Sequence, residues 1–453
     1  MTMGRAGVLA GAAVGVVVLA AACTPGKKAS TPTEKPTSAI STNVTAAGPV
    51  TLTVWDQEVR GGQNAEITQL NKEFHDKYPN VTIKRNSKSF TNLKDTLKLA
   101  LSGANPPDVV EANQGYPDMG AFVQAGMLQP LDSYAQRYDW KSRYPATLLN
   151  LNSFTPDGKS FGSGTLYGIS QTGEIVGIYY NKQKLSQLGL SVPATWADFE
   201  ADLPKIKSAG QLPIMFGNKD QWPAIHEFGV LQDQLAGKQA VRDLVFGKSG
   251  ASWDSPQSLA AATKLRAWAQ NGYLSPGTNG LGYDEASAQF GKGKGVFLIT
   301  GTWLVADLQK SMGNKVGFML PPPATAGGDS VTTGGQGLAW SITAKSKNAD
   351  VAASYIDFIT NAHAADVMTQ TGNLPATTPE SAKPPAGTAL ADIFDAWATI
   401  SKSDGECPYL DYTTPSFYDT ISANLQKLIG GKQAPAQFLS VLQKDYSAFL
   451  KSK

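Results

Sequence analysis

Cysteine and histidine are nearly absent from this chain of 453 residues. There are two cysteines, Cys23 and Cys407, and three histidines, His75, His226 and His363. No His-x-x-x-His pair and no paired cysteines occur, so the usual ligand sets of a transition-metal site are missing and no metal or other cofactor is expected. Charge of one sign is also missing. The formal net charge is +2 with 17% charged residues, which leaves no basic footprint for nucleic acid. Phosphate loops are absent too. "FGKSG" at 246–250 has Gly-Lys-Ser, but Arg242 stands where the first glycine of such a loop would be. "GKGKG" at 291–295 lacks that earlier glycine and a Ser or Thr after the lysine. These absences do not exclude a glycosidase, which needs only two carboxylates.

What is present is globular. With 42% hydrophobic residues over this length, two or three core-forming units are expected. The N-terminus reads differently. Arg5 is followed by an unbroken run of Ala, Gly, Val and Leu from Ala6 to Ala22, the pattern of an export signal. Cys23 follows small residues, Ala21 and Ala22, in a stretch that resembles a bacterial lipoprotein cleavage box, with Ala20 where leucine is usual. The expectation is a signal peptide over 1–22, acylation of Cys23 and a protein held at the outer face of the cytoplasmic membrane by more than one chain. With Cys23 lipidated, Cys407 has no disulfide partner. Residues 24–49 are rich in Thr, Ser, Pro, Ala and Lys, too polar to bury a core of their own, and read as a disordered tether spanning on the order of 30 Å.

The body begins at Val50. "VTLTVW" alternates as a strand. "NAEITQLNKEFHDKYP" spaces Ile67, Leu70 and Phe74 as a helix that stops at Pro79, and "VTIK" is a second strand. "TNLKDTLKLALSG" repeats leucine at 93, 97 and 101, with Gly103 as its C-cap, and "PDVVEA" is a third strand. Alternating strands and helices predict an α/β fold with a parallel sheet. Further helices are predicted at 256–271, with Ser255 as cap, at 284–290, after Asn348 and near 435–450. Trp196, Trp253, Trp268, Trp340 and Trp397 are expected in the core, and His226 as a packed or surface residue.

Several stretches together resemble the extracellular solute-binding proteins of ABC importers, in the sugar-binding branch that includes maltose-binding protein. They are "LTVW", "FHDKYPNVTI", "PPDVV" with "AGMLQPLD", "YGISQTGEIVGIYYNK", "LGLSVPATWADF", "FGKGKGVFLITGTW" and "GGQGLAWSITAKSKNADVAASYIDFI". In "FGKGKGVFLITGTW" Gly295 replaces the usual alanine. The resemblance implies a two-lobed, periplasmic-binding-protein-like α/β fold of type II with a hinge. The lobes are expected at about 50–174 plus 325–380 and 175–324 plus 381–453. It also implies a monomer that binds a carbohydrate, of two or more units, between the lobes. The expected partners are a membrane permease and, through it, an ATPase.

Candidate ligand residues follow predicted strands, where open α/β sheets bind their ligands. They are Asp56 and Glu58 after the first strand, Asn113 and Gln114 after the third, and Glu174 at the first lobe crossing. Asp220 and Trp222 follow "LPIMF", and Gly301 and Trp303 end "GVFLITGTW". Gly334 and Gly335 could admit a ligand close to the backbone, and Tyr409 and Asp411 complete the set. Two other functions fit the same residues. One is a binder of a non-sugar solute such as a polyamine or peptide. The other is a lipid-anchored glycosidase using Asp56, Glu58 or Glu174.

Overall fold

The computed structural model describes residues 32–453, so Cys23 and the export signal lie outside the described residues. Two sheets organise it. The first has five strands in the order 81–87, 50–56, 109–112, 339–342, 169–170. Its first three strands are parallel, with Val50 opposite Val81 and Val54 opposite Val109. The strand Ala339–Ile342 returns antiparallel, Ala339 pairing with Ala112. Parallel strands need crossovers, and helices Gly61–Lys77 and Phe90–Ser102 supply them as the periodicity predicts. Gly103 closes the second of these helices with an N–H donated to Ala100, though in an extended conformation and not a left-handed one. Apolar side chains of the strands (Leu52, Val54, Trp340) and of the first helix (Ile67, Leu70, Phe74) share one core with the helix Ala349–Ile359.

The second sheet is built on Val176–Asn181, flanked antiparallel by Phe297–Gly301 and Val316–Met319. Helices Pro223–Ala236, Pro256–Gln270 and Pro435–Ser452 cover it. Ser255 caps the second of these by accepting from the Ser258 N–H, as expected. Thr195 and Asp198 form a capping box at the start of Trp196–Ser208. Trp196, Trp253, Trp268 and Trp340 are buried. Trp397 departs from that expectation: it is half-buried and packs against both the first-sheet core and a cluster of the second half.

The chain passes between the two halves three times, and the passages lie side by side. Gly173 N–H donates to Leu374 O at 2.9 Å, Ala376 N–H to Gln171 O at 2.9 Å, and Gly335 N–H to Glu174 O at 2.5 Å. Thr332–Thr333 pair with Glu406–Cys407, and the Thr332 hydroxyl donates to the Val176 carbonyl. That stretch therefore sits with the second sheet. Gly334 and Gly335 have φ of 145° and 125°, backbone that favours glycine, and a Cβ on Gly334 would stand 2.4 Å from the Glu174 carbonyl.

The tether is shorter than its composition predicts. Ile40 and Val44 are buried in the first-sheet core. Lys35 pairs with Asp350 at 2.7 Å, and the Ser41 N–H and Tyr134 hydroxyl donate to the same carboxylate. Asn80 donates its side-chain amide to the carbonyls of Val44 and Gly48. A polar segment cannot build a core of its own, but two apolar residues suffice to dock on an existing one. Replacing Ile40 and Val44 together by alanine is expected to cost about 2–4 kcal/mol, read as a lower urea midpoint with an unchanged slope. An unchanged midpoint would mean the segment rides on the surface without contributing.

Candidate functional site

A cleft of about 670 Å³, mouth included, lies between the two sheets beside the three passages. The first half contributes residues that follow its strands or open its helices. Gln57 follows the first strand, and Arg60 and Gln63 stand at the start of Gly61–Lys77. Phe90 opens Phe90–Ser102, and Asn113 follows the third strand. Glu174 and Gln336 come from two of the passages, at the back. The second half contributes Trp222 and His226 at the start of Pro223–Ala236, and Trp303 just past the strand Phe297–Gly301. Tyr409, Asp411 and Tyr412 come from the turn before Phe417–Ile429, and Tyr418 from that helix.

Its chemistry is graded with depth. Gln63, Asn113, Glu174, His226, Gln336, Tyr409 and Asp411 are buried, whereas Phe90, Trp222, Trp303 and Tyr418 are half-buried. The aromatic rings form a connected wall. Tyr283 and Trp222 stand 4.4 Å apart between centroids, His226 and Trp303 5.4 Å, and His226 and Tyr409 5.7 Å. Five lining residues carry a buried polar atom without a protein partner: Arg60 Nε, Gln63 Oε1, His226 Nδ1, Gln336 Oε1 and the Tyr409 hydroxyl. Such atoms are costly unless something hydrogen-bonds to them. Five on residues lining one cleft suit a polar guest.

Burial also sets the protonation states. It raises the Glu174 carboxyl to about 8, with Glu58 adding to the shift and Arg60 opposing it. Asp411 is raised to about 7, again chiefly by burial. His226 is lowered to about 3, so its imidazole is neutral and can donate from one nitrogen and accept at the other. Among the described residues, no group of three or more His, Cys, Asp or Glu is placed to share a metal ion.

Six of the residues singled out from the sequence line the cleft: Asn113, Glu174, Trp222, Trp303, Tyr409 and Asp411. The others do not, for identifiable reasons. The Asp56 carboxylate is fully engaged by Arg85 (2.6 and 2.9 Å), the Ser87 hydroxyl and the Glu58 N–H. Glu58 is buried behind the cleft beside Glu111, and burial raises its carboxyl to about 7. Gln114 donates to Asn152 and to the Gly337 carbonyl and accepts from the Tyr412 hydroxyl at 3.1 Å, so it fastens the two halves together. Asp220 is exposed and accepts the Tyr283 N–H. Gly334 and Gly335 shape a passage. Gly301 acts through its neighbour: a Cβ there would lie 1.8 Å from the Trp303 ring.

Arg60, Gln63, Phe90, Gln336, Tyr412 and Tyr418 are not among the sequence candidates, and His226 is expected there only as a packed or surface residue. Most lie within a few residues of a strand end or at a helix start, the signal that found the others. In an amphipathic helix such as Phe90–Ser102 the first aromatic residue looks like one more core position.

A family model described as bacterial extracellular solute-binding protein matches residues 61–366. The "Multiple sugar-binding protein" of Streptococcus mutans serotype c is 25% identical over 70% of this chain and 72% of its own. Among solved structures, a "Chitin oligosaccharide binding protein" superposes with a TM-score of 0.76, at 23% identity over 89% of this chain and 99% of that one. The galacto-N-biose/lacto-N-biose I-binding protein of a Bifidobacterium longum ABC transporter, in complex with lacto-N-biose, gives 0.69 at 18% identity over 89% and 98%.

Proposed function

Because the chain belongs to the bacterial extracellular solute-binding proteins, we propose that its cleft binds a carbohydrate and delivers it to the permease of an ABC importer. The observation that carries the sugar reading is the grading of the cleft. A sugar ring has apolar C–H faces and a rim of hydroxyls. Half-buried Trp222, Trp303 and Phe90 suit the faces, and the buried Gln63, Asn113, Glu174, Gln336 and Asp411 suit the hydroxyls. Neutral His226 and a protonated Glu174 fit an uncharged ligand better than a polyamine, which would need ionised carboxylates around it. The relative from Streptococcus mutans and the compared structures are named for sugars, which supports the same reading.

The site is read as one that holds its ligand without turning it over. Both halves supply contacts, so ligand favours the closed arrangement by its differential affinity for it. A nearly complete shift from open to closed would need about 5.5 kcal/mol of that bias. Acylation of Cys23, keeping the protein beside its permease, belongs to the same proposal.

A thermal-shift screen over mono-, di- and oligosaccharides, polyamines and short peptides tests the ligand class. A sugar at a hundredfold its Kd should stabilise the protein by about 2.7 kcal/mol. If amines or peptides raise the melting temperature and no sugar does, the carbohydrate assignment fails.

A further inference from the structure

Side chains reach across the cleft from one half to the other. Arg60, from the first half, donates to Asp284 at 3.0 Å and lies 5.5 Å over the Tyr283 ring, both on the second half. Phe90, also from the first half, stands 6.0 Å from Trp222 and 6.5 Å from Tyr418. Tyr283 and Trp222 touch at 4.4 Å, so Arg60, Tyr283, Trp222, Phe90 and Tyr418 make one continuous lip. Lys94 extends it, with its ammonium 4.0 Å over Tyr418.

Two further sides are bounded by the protein itself. The back is the bundle of passages that carries Glu174 and Gln336. One flank ends where the Tyr412 hydroxyl meets Gln114. Gly115 packs so closely there that a Cβ on it would stand 2.5 Å from the Tyr412 backbone. A longer chain of sugars running out past this lip would part either the Arg60–Asp284 pair or the Phe90 contacts. Parting either gives up a contact that joins the two halves across the mouth.

We propose that the cleft takes a saccharide of one or two rings, and that Phe90 and the Arg60–Asp284 pair set this length limit; the inference rests on the carbohydrate reading above. Arg60 and Phe90 act differently. Phe90 is a lining ring and meets the sugar as well as the opposite half. Asp284 touches no ligand: its side chain is 81% exposed, and it acts only by holding Arg60 across the mouth.

Isothermal titration of the full chain with homologous series of one to five units tests this. Suitable probes are α-1,4-glucose, β-1,4-xylose, β-1,4-N-acetylglucosamine and β-1,4-galactose oligomers. In whichever series binds, the three-unit member should bind about tenfold or more weaker than the better of the one- and two-unit members. Phe90→Ala and, separately, Asp284→Ala should shift the ratio of three-unit to two-unit affinity toward the longer sugar by about fivefold or more. Asp284 is exposed, so its variant tests the idea even if Phe90→Ala folds poorly. If three-unit and longer sugars bind the unaltered protein as tightly as the shorter ones, the length limit is wrong and the carbohydrate reading stands. If the limit holds but neither variant moves the ratio, these residues do not set it. Binding of amines or peptides with no sugar bound at all removes the carbohydrate reading and this inference with it.

Discussion

Replacing Trp303 by alanine is expected to weaken sugar binding by about tenfold or more, some 1.4 kcal/mol, while the empty protein melts at nearly its original temperature. The reasons lie in how the ring is held. It is half-buried, donates Nε1–H to the Tyr283 hydroxyl at 2.5 Å and faces His226. It packs at the edge of a core cluster of the second half, so less core volume disappears with it than with a fully buried tryptophan, while a flat face on the cleft is lost. Gly301→Ala should reach the same end by another route, because its methyl group would occupy the space of the Trp303 ring. Calorimetric titration with the best sugar, alongside thermal melts of the empty variants, separates the roles. If Trp303→Ala instead unfolds the empty protein many degrees earlier, the tryptophan is a core residue and not a platform.

Raising the pH from 5 to 9 should lower the melting temperature of the empty protein by several degrees or more. The cause is a set of buried carboxyls held above their ordinary range by burial: Glu174 at about 8, and Glu58, Asp411 and Asp233 at about 7. Glu66 and Glu111 are raised as well, for the same reason. In the unfolded chain these groups lose their protons near pH 4. Between there and pH 7–8 the native state binds more protons than the unfolded one, so stability falls as pH rises. Their stabilising share is complete below pH 4 and is lost on passing through the native values. A single carboxyl displaced by two units corresponds to about 2.7 kcal/mol. Glu174→Gln mimics the protonated form and should flatten the upper part of the profile. A melting temperature that climbs steadily from pH 5 to 8 would contradict these protonation states.

The backbone plan could be read before any coordinates because periodicity reports burial directly. Ile67, Leu70 and Phe74, or Leu93, Leu97 and Leu101, have no other use than a core, and they lie in one. The site was half readable. Asn113, Glu174 and Trp303 follow strand ends, and position alone selects them. Asp56 and Glu58 follow one too, yet Arg85 from the neighbouring strand claims Asp56, a pairing across the sheet that no local pattern announces. The hinge had the same limit. Gly334 and Gly335 read as a place where a ligand could come close to the backbone, but the pairing of Thr332–Thr333 with Glu406–Cys407 joins residues more than seventy positions apart. The tether misled for a related reason. Composition judges whether a segment can fold alone, and Ile40 and Val44 do not fold alone.

The docking of that segment alters how far the protein can roam. Among the described residues its first hydrogen bond to the body is at Glu34, which accepts the Ser133 N–H at 2.5 Å. With Cys23 acylated, as proposed, the chain from Cys23 to Glu34 spans at most about 40 Å even when drawn straight. The body is thus on a short leash. A permease lying within that radius would meet it at a local concentration on the order of millimolar. A modest intrinsic affinity for the permease would then be enough, and one that lets go after each delivery would be the better match.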